Sequence, residues 1–276
     1  MPSKQDFTAK DTPIDQLTQR QDYFGWTVPV EQIPLPSSGI IYPKESVLHN
    51  KETLQIKAMT AHEEDIIMSR ALIKEGTVIT HLIKSCIIDK SVNVDEMLLG
   101  DRNSLLVAIR ITGYGSKYNS NTICGACNTS QLQTFDLSDL EIRRLNIKPI
   151  KQGINEFEFI LPITKKRVTF KFLTVSDEHE NEVTASRRQK LMPDIKVDNS
   201  ITSQLTNQIL TIDGSNDRSK IAGFIGVMPA GDSKALRKFI LNSEPGIDMS
   251  VNMTCSRCSE SSKIGLALGA EFFWPK

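Results

Sequence analysis

Two cysteine motifs in the 276-residue chain share one pattern: ICGACN at residues 123–128 and TCSRCS at residues 254–259. Each pair stands at a predicted turn between two extended segments, and a spacing of two residues lets one turn present both sulfurs on the same side. Two such turns facing each other place four sulfurs in a tetrahedral array, the geometry that structural zinc prefers. We therefore predict a zinc site formed by Cys124, Cys127, Cys255 and Cys258.

The distance between the two pairs predicts how the rest of the chain is organised. Cys127 and Cys255 lie 128 positions apart, whereas many zinc ribbons close within about 15–20 residues. The simplest arrangement is a split zinc ribbon of two β-hairpins, residues 114–138 and 248–276, with residues 139–247 inserted as an α+β subdomain. Zinc would then close a long loop and replace the hydrophobic core that two short hairpins lack.

Two other interpretations of the cysteine pairs stay open. A redox-active pair belongs in a βαβ setting with a helix after the first cysteine, and the residues after Cys127 do not favour a helix. Two unrelated reduced pairs are the simpler alternative. The fifth cysteine, Cys86, falls on an apolar helical stripe and is interpreted as a small buried hydrophobic residue.

Composition disfavours several classes of protein. The chain is 39% hydrophobic and 24% charged, which is enough apolar content for folded cores. Thirty-three Lys and Arg residues balance thirty-three Asp and Glu residues, so a general nucleic-acid coat is disfavoured, although a local basic patch is not. Neither a membrane-spanning run nor a secretory signal is recognisable. We expect a soluble protein that stays in the compartment where it is made.

Before the first cysteine pair, the pattern predicts an arm and a helical region. Residues 1–34 are polar and lack a sustained period, so they are interpreted as an extended N-terminal arm with a short helix at 13–23. Residues 35–113 combine the proline-framed segment LPSSGIIYP, expected to pack on a surface, with three amphipathic helices. The first begins at a Thr60–Glu63 capping box and stops at Gly76. The second starts at Thr77, and the third begins near Asp101.

Between the cysteine pairs, the pattern predicts a hairpin followed by helices. Apolar residues alternate with polar ones over residues 157–161 and again over 168–172, on either side of a polar turn. Helices are predicted at 176–190, 201–211, 218–227 and 232–242. Asp232 and Ser233 are the cap candidates for the last helix. Short helices and hairpins in this order predict an α+β fold.

The sequence shows no recognisable catalytic constellation. His62-Glu63 and the first cysteine pair resemble the two halves of a zinc deaminase motif, but Ile123 precedes the pair where proline is expected. His179-Glu180 begins like a zincin helix, but Val183 stands where histidine is required. No phosphate-binding loop, dinucleotide glycine motif or nucleophile elbow occurs. A closed four-thiolate site also leaves no position for a substrate. We therefore predict that the protein is not an enzyme, and an enzyme with an unrecognised site is the alternative.

An ordered set of motifs resembles one known family. After LPSSGIIYP at residues 35–43, the chain carries LLGDRNSLL at 98–106, RITGYG at 110–115, a Cys-x-x-Cys pair, FILP at 159–162 and LTVSDE at 173–178. Together these motifs resemble the T-even-type contractile phage baseplate protein family, which includes baseplate hub subunits and hub-assembly proteins. The resemblance runs from residue 35 to the second cysteine pair. It implies a structural or assembly role without enzymatic activity.

The leading hypothesis is thus a non-enzymatic, zinc-stabilised protein of a contractile phage tail baseplate. Its partners would be other tail or baseplate proteins, contacted through the arm and residues 35–43, while self-association is left open and no membrane is involved. It would be present in the host cytoplasm during assembly and in the virion tail afterwards. The alternative is a zinc-ribbon regulator that binds nucleic acid, which Lys117, Arg257 and Lys263 near the cysteine turns favour.

Overall fold

A computed structural model describes residues 25–191 and 200–273 of the chain. The helices are α1 (Ala61–Met68), α2 (Arg70–Glu75), α3 (Val78–Cys86), α4 (Leu99–Tyr114), α5 (Val175–Leu191), α6 (Ser200–Gln208), α7 (Arg218–Val227) and α8 (Ala230–Ser243). The strands are β1 (Val30–Pro34), β2 (Thr53–Lys57), β3 (Lys117–Ile123), β4 (Ser130–Asp136), β5 (Ile142–Arg143), β6 (Phe157–Ile160), β7 (Arg167–Phe170), β8 (Ile209–Ile212), β9 (Gly246–Ile247), β10 (Ser250–Thr254) and β11 (Ser261–Gly265).

The strands form small antiparallel sheets rather than one large sheet. The described residues contain four two-stranded sheets, β1–β2, β3–β4, β5–β9 and β10–β11, and one three-stranded sheet in the order β6–β7–β8. Helices pack around and between these sheets. The predicted α+β class is therefore confirmed.

The segment interpreted as an N-terminal arm falls partly on residues that the structure describes. Residues 1–24, with the predicted helix at 13–23, lie outside the described part of the chain. Residues 30–34 form β1, which pairs antiparallel with β2 from Val30 opposite Lys57 to Pro34 opposite Thr53. The last five residues of the expected arm therefore belong to a sheet of the folded body.

The proline-framed segment after β1 lies inside the fold. Leu35 and Ser37 are 0% exposed, and Ile41 is 2% exposed. The carboxylate of Asp101, in the first turn of α4, accepts hydrogen bonds from the Ser37 N–H (2.9 Å) and from the Ser37 hydroxyl (2.5 Å). Most of the segment is therefore used within the chain, whereas Ile40 and Pro43 are exposed. A contact of residues 35–43 with other proteins stays a prediction.

The helical region matches the predicted start and stop signals, with two differences. The Glu63 carboxylate accepts hydrogen bonds from the Thr60 N–H (2.9 Å) and hydroxyl (2.6 Å), which confirms the capping box. The predicted first helix breaks at Ser69 into α1 and α2, and α2 ends at Gly76 with φ 72°. The third helix, α4, begins before Gly100 and includes it.

The inserted region differs from prediction in two places. The hairpin is confirmed, with Phe157 of β6 opposite Phe170 of β7. The helix predicted at residues 201–211 ends at Gln208, and the next four residues form β8 beside β7. Asp232 does not cap α8, whose N-cap is Pro229. Its buried carboxylate instead accepts hydrogen bonds from the backbone N–H groups of the β6–β7 turn.

One continuous hydrophobic core joins the helical region, the inserted region and the C-terminal segment. It contains buried residues from β1 through α4, from all three strands of the β6–β7–β8 sheet, and from the last described turn. The side chains of Phe272 and Phe273 are both 1% exposed. The two cysteine hairpins extend from this core. The strand ends farthest from the cysteine turns form the bases of the hairpins and pack against the core, whereas the cysteine turns form the tips and are held by contacts outside it.

Candidate metal centre

The two cysteine motifs lie at the tips of two β-hairpins. Strands β3 and β4 pair antiparallel from Lys117 opposite Asp136 to Ile123 opposite Ser130. Strands β10 and β11 pair from Ser250 opposite Gly265 to Thr254 opposite Ser261. The cysteine turns therefore connect paired strands, as the spacing predicted. Both hairpins lie within the ranges predicted for them, residues 114–138 and 248–276.

The two turns have the same backbone geometry. In the first, the Cys124 N–H donates to the Thr129 carbonyl (3.0 Å), and the Asn128 N–H donates to the Cys124 carbonyl (2.9 Å). The turn at residues 255–260 repeats both bonds at 2.9 Å. Asn128 and its counterpart Ser259 adopt φ values of 55° and 58°, in the left-handed region that non-glycine residues seldom occupy. Two turns with matching geometry present their cysteines in equivalent positions.

The four cysteine sulfurs converge on one point between the hairpins. All four lie within 4.8 Å of one another. Contacts across the hairpins are 3.7 Å from Cys124 Sγ to Cys258 Sγ and 3.6 Å from Cys127 Sγ to Cys255 Sγ. Four sulfurs at about 2.3 Å from a tetrahedral zinc ion are about 3.8 Å apart. The observed spacing therefore fits a metal ion of this size and geometry.

The cluster is buried on one side and open on the other. Cys124 and Cys255 are 0% and 1% exposed, and they pack with Met253 in a small hydrophobic cluster separate from the main core. Cys127 is half-buried and Cys258 is exposed. Such a cluster has too little apolar surface to hold two hairpins together by itself.

The thiol pKa values around the cluster differ. Hydrogen bonding to the Thr129 side chain and backbone lowers the pKa of Cys127 to about 6. Backbone N–H groups, first that of Cys258, lower the pKa of Cys255. A backbone hydrogen bond with Glu260 acts to lower the pKa of Cys258, but the neighbouring cysteine sulfurs act to raise it. The net effect raises the pKa of Cys258 to about 12. Four adjacent thiolates repel one another, and a divalent cation between them would remove that repulsion.

Two glutamines on β4 connect the hairpins and were not found from the sequence. The side-chain N–H groups of Gln131 and Gln133 both donate to the Thr254 carbonyl, at 3.0 and 2.7 Å. The Gln131 side-chain oxygen accepts hydrogen bonds from the Ser256 N–H and hydroxyl, both at 2.8 Å. Alternation on β4 places these glutamines on one face, but the sequence does not indicate which residues that face meets.

The bases of the hairpins are anchored to the main core. The buried Arg110 guanidinium donates to the Phe272 carbonyl at 3.2 Å and to the Gly115 carbonyl at 3.0 Å. The rings of Tyr118 and Phe272 lie 5.1 Å apart. These contacts fix where the first hairpin leaves α4 and where the segment after the second hairpin returns.

The remaining candidate residues lie in structural roles or outside the cluster. The Glu63 carboxylate belongs to the capping box, and Ser85 and Lys57 also donate to it. Cys86 is 0% exposed in the main core, as predicted, and burial raises the pKa of its thiol to about 12. Among the described residues, the four cysteines are the group of ligand-type side chains close enough to share a metal ion.

No helix within the described ranges has the length and apolar character needed to cross a membrane.

Comparison with known proteins identifies a family. The family model described as T4 bacteriophage base plate protein matches residues 40–274, which include both hairpins and the region between them. A search of the curated proteins and a search of the solved structures each gave no match. Because the family model covers most of the chain, the protein belongs to the T4 bacteriophage base plate protein family.

Proposed function

We propose that this protein is a non-enzymatic structural or assembly component of a contractile phage tail baseplate, acting at its hub through contacts with other baseplate proteins. The observation that carries the proposal is the family match over residues 40–274. The site geometry agrees with this role, because a four-cysteine cluster stabilises a fold and offers no open position for substrate. Membership of this family favours a place in the virion tail.

Zinc is the ion that the cluster is proposed to hold, through Cys124, Cys127, Cys255 and Cys258. Four thiolates with tetrahedral spacing are the donor set that structural zinc prefers. The ion would neutralise thiolate charge and join hairpins that are far apart in sequence. It would thereby hold the two cysteine turns in a fixed arrangement, so that the hairpins present a defined surface to neighbouring subunits.

The charges near the cysteine turns argue against the nucleic-acid alternative. Lys117 Nζ lies 2.9 Å from the Asp136 carboxylate, and Lys263 Nζ lies 3.2 Å from the Asp248 carboxylate. Two of the three cations that favoured this alternative are therefore already paired with carboxylates. A surface that neutralises phosphates needs cations in excess.

Quantitative mass spectrometry of purified phage tails and of infected-cell lysate tests the proposal. A baseplate component is expected in purified tails at a fixed ratio to the other baseplate proteins, whereas an assembly factor is expected bound to baseplate intermediates in lysate. A tail protein outside the baseplate provides the reference. Absence of the chain from both tails and baseplate intermediates would overturn the proposed function. Elemental analysis of the purified protein tests the zinc assignment separately, with one zinc per chain expected.

A further inference from the structure

The two cysteine hairpins leave a groove between them that no part of the described chain fills. It has a volume of about 420 Å³, within the range of roughly 300–1,000 Å³ found for ligand clefts. Phe135, Leu140 and Val251 give it an apolar floor. Two sets of hydrogen bonds join the segments beside the groove: the Asp248 N–H donates to the Glu141 carbonyl, and the β4 glutamines donate to the Thr254 carbonyl of β10.

The sides of the groove are strand edges. Residues 134–136 of β4 and residues 250–252 of β10 line it as consecutive runs. Alternate side chains of a strand point to opposite faces, so a run of consecutive residues brings backbone groups as well as side chains to the groove. Each hairpin is a separate two-stranded sheet in the described structure, and therefore β4 and β10 each have an edge without a neighbouring strand. Such edges are templates for pairing with another chain. On β10 the Ser250 N–H already donates to Asp248 and the Thr254 carbonyl already accepts from the β4 glutamines, so pairing there would use the groups between them.

The charge of the groove selects the kind of segment that fits. Its lining carries four carboxylates, from Asp136, Asp139, Glu141 and Asp248. Lys117 pairs with Asp136 and Lys263 pairs with Asp248, so two of the four are already neutralised. Asp139 and Glu141 are exposed and, within the described part of the chain, form no ion pair. The whole chain has no net charge, so this local excess of negative charge is a property of the groove.

We infer that this groove binds an extended segment of a partner protein in which lysine or arginine alternates with apolar residues. The segment would pair with the strand edges, place its apolar side chains on the floor and direct its cations at Asp139 and Glu141. Main-chain hydrogen bonds supply affinity in this mode of recognition, and side chains supply specificity. The inference deepens the proposed function, because it names the chemistry of one partner contact.

The test uses the full-length protein loaded with zinc and a short labelled peptide in which valine and lysine alternate. Fluorescence anisotropy is expected to show a dissociation constant in the micromolar range that weakens with added salt. A peptide with glutamate in place of lysine is expected not to bind. A valine–lysine peptide with alternate backbone nitrogens methylated is expected to bind at least about tenfold more weakly, because it cannot donate to the strand edges.

Paired variants separate the groove from the general charge of the surface. The double variant Asp139→Asn with Glu141→Gln is expected to weaken binding about three- to tenfold, since exposed ion pairs are individually weak. The matched control, Glu180→Gln with Glu182→Gln on α5, removes the same charge elsewhere and should leave binding unchanged. Circular dichroism and zinc content establish that each variant is folded.

Three results would overturn the inference. The first is absence of binding by the valine–lysine peptide. The second is that the groove variant binds this peptide as tightly as the natural chain does, or that the methylated peptide binds as tightly as the unmethylated one. The third is self-association of the chain that the groove variant abolishes, because the occupant would then be a second copy. None of these results bears on whether the protein occurs in tails. The peptide experiments can therefore contradict the inference about the groove without contradicting the baseplate assignment, and the reverse also holds.

Discussion

The hydroxyl group of Tyr42 donates a hydrogen bond of 2.6 Å to the carboxylate of Asp101, 59 positions further along the chain. Tyr42 is 4% exposed and Asp101 is 0% exposed. The same hydroxyl oxygen accepts the Leu98 N–H at 2.9 Å. Burial raises the pKa of Asp101, while hydrogen bonds from Ser37 and Tyr42 act to lower it. This contact joins the proline-framed segment to α4, so two of the motifs that resemble the baseplate family form one buried network.

Replacing Tyr42 tests that network. Tyr42→Phe removes the donor to Asp101 and the acceptor for the Leu98 N–H while keeping the aromatic ring. We expect the free energy of unfolding to fall by about 1–3 kcal/mol, because buried polar groups lose their partners. Urea denaturation measures the change. Tyr114→Phe is the matched control, since its hydroxyl bonds to Glu64 at the surface, and it should change stability by less than about 0.5 kcal/mol.

Glu63 makes stability depend on pH in the acid range. Burial alone would raise its pKa, but hydrogen bonds from Lys57, Ser85 and Thr60 lower it from 4.5 to about 2. The ionised carboxylate therefore favours the folded state above pH 4.5, and this contribution is lost as the pH falls toward 2. The stability difference between the natural chain and Glu63→Gln should shrink over this interval.

Urea unfolding of both proteins, from neutral pH down to 2, measures this difference. Metal release by acid affects both proteins alike, so their difference isolates the carboxylate. Glu75→Gln, an exposed glutamate at the end of α2, is the control and should give no pH-dependent difference. A Glu63→Gln difference that stays constant across the interval would contradict the assigned role.

Cys255→Ser should release the metal ion. The substitution removes one of four sulfur ligands from a site with tetrahedral spacing, and the serine hydroxyl is a poor substitute for a thiolate. Inductively coupled plasma mass spectrometry should find less than stoichiometric zinc, and calorimetry should find a lower melting temperature. Cys86→Ala is the control, because Cys86 lies in the main core, and it should keep one zinc per chain. Retained zinc in Cys255→Ser would contradict the metal site.

Removing the ion from the natural chain should loosen the hairpins and leave the main core folded. The buried cysteine cluster is distinct from the continuous core, and the one described residue that packs against both is Ile264, so the two parts share few stabilising contacts. Hydrogen exchange after chelation should accelerate at β3–β4 and β10–β11, while amides of α4 stay protected. Equal acceleration in α4 would show that the whole fold depends on the metal.

The cysteine motifs could be predicted from local sequence signals. The features that prediction missed, strand β8 and the role of Asp232, depend on contacts between residues far apart in sequence. The motifs at residues 124–127 and 255–258 act within single turns, so spacing alone indicated their geometry. The segment Ile209–Ile212 is a short apolar run that continues the period of α6, and only pairing with β7 makes it a strand. Asp232 has the chemistry of a cap, but its partners lie 68 and 69 positions away. A sequence pattern carries no information about such distant partners.

Gly100 lies where α4 closely approaches the Pro245 backbone. Adding a methyl group at this position by substitution with alanine tests that approach. A Cβ atom at this position would lie 1.7 Å from the Pro245 carbonyl oxygen, where the chain enters β9 against α4. Gly100→Ala should therefore lower the free energy of unfolding by about 1–3 kcal/mol or more, through displacement of packed backbone. Urea denaturation, or the soluble yield if folding fails, measures the loss.

Two further glycines turn this prediction into a series. A Cβ at Gly246 would lie 3.3 Å from the Gly100 Cα atom, whereas one at Gly223 on α7 would meet nothing within 4 Å. Gly246→Ala should therefore cost less than Gly100→Ala. Gly223→Ala should stabilise the protein by up to about 1 kcal/mol, because alanine favours the helix. If Gly100→Ala and Gly223→Ala change stability alike, then α4 does not touch the Pro245 backbone, and the path from the inserted region into the second hairpin differs from the one described.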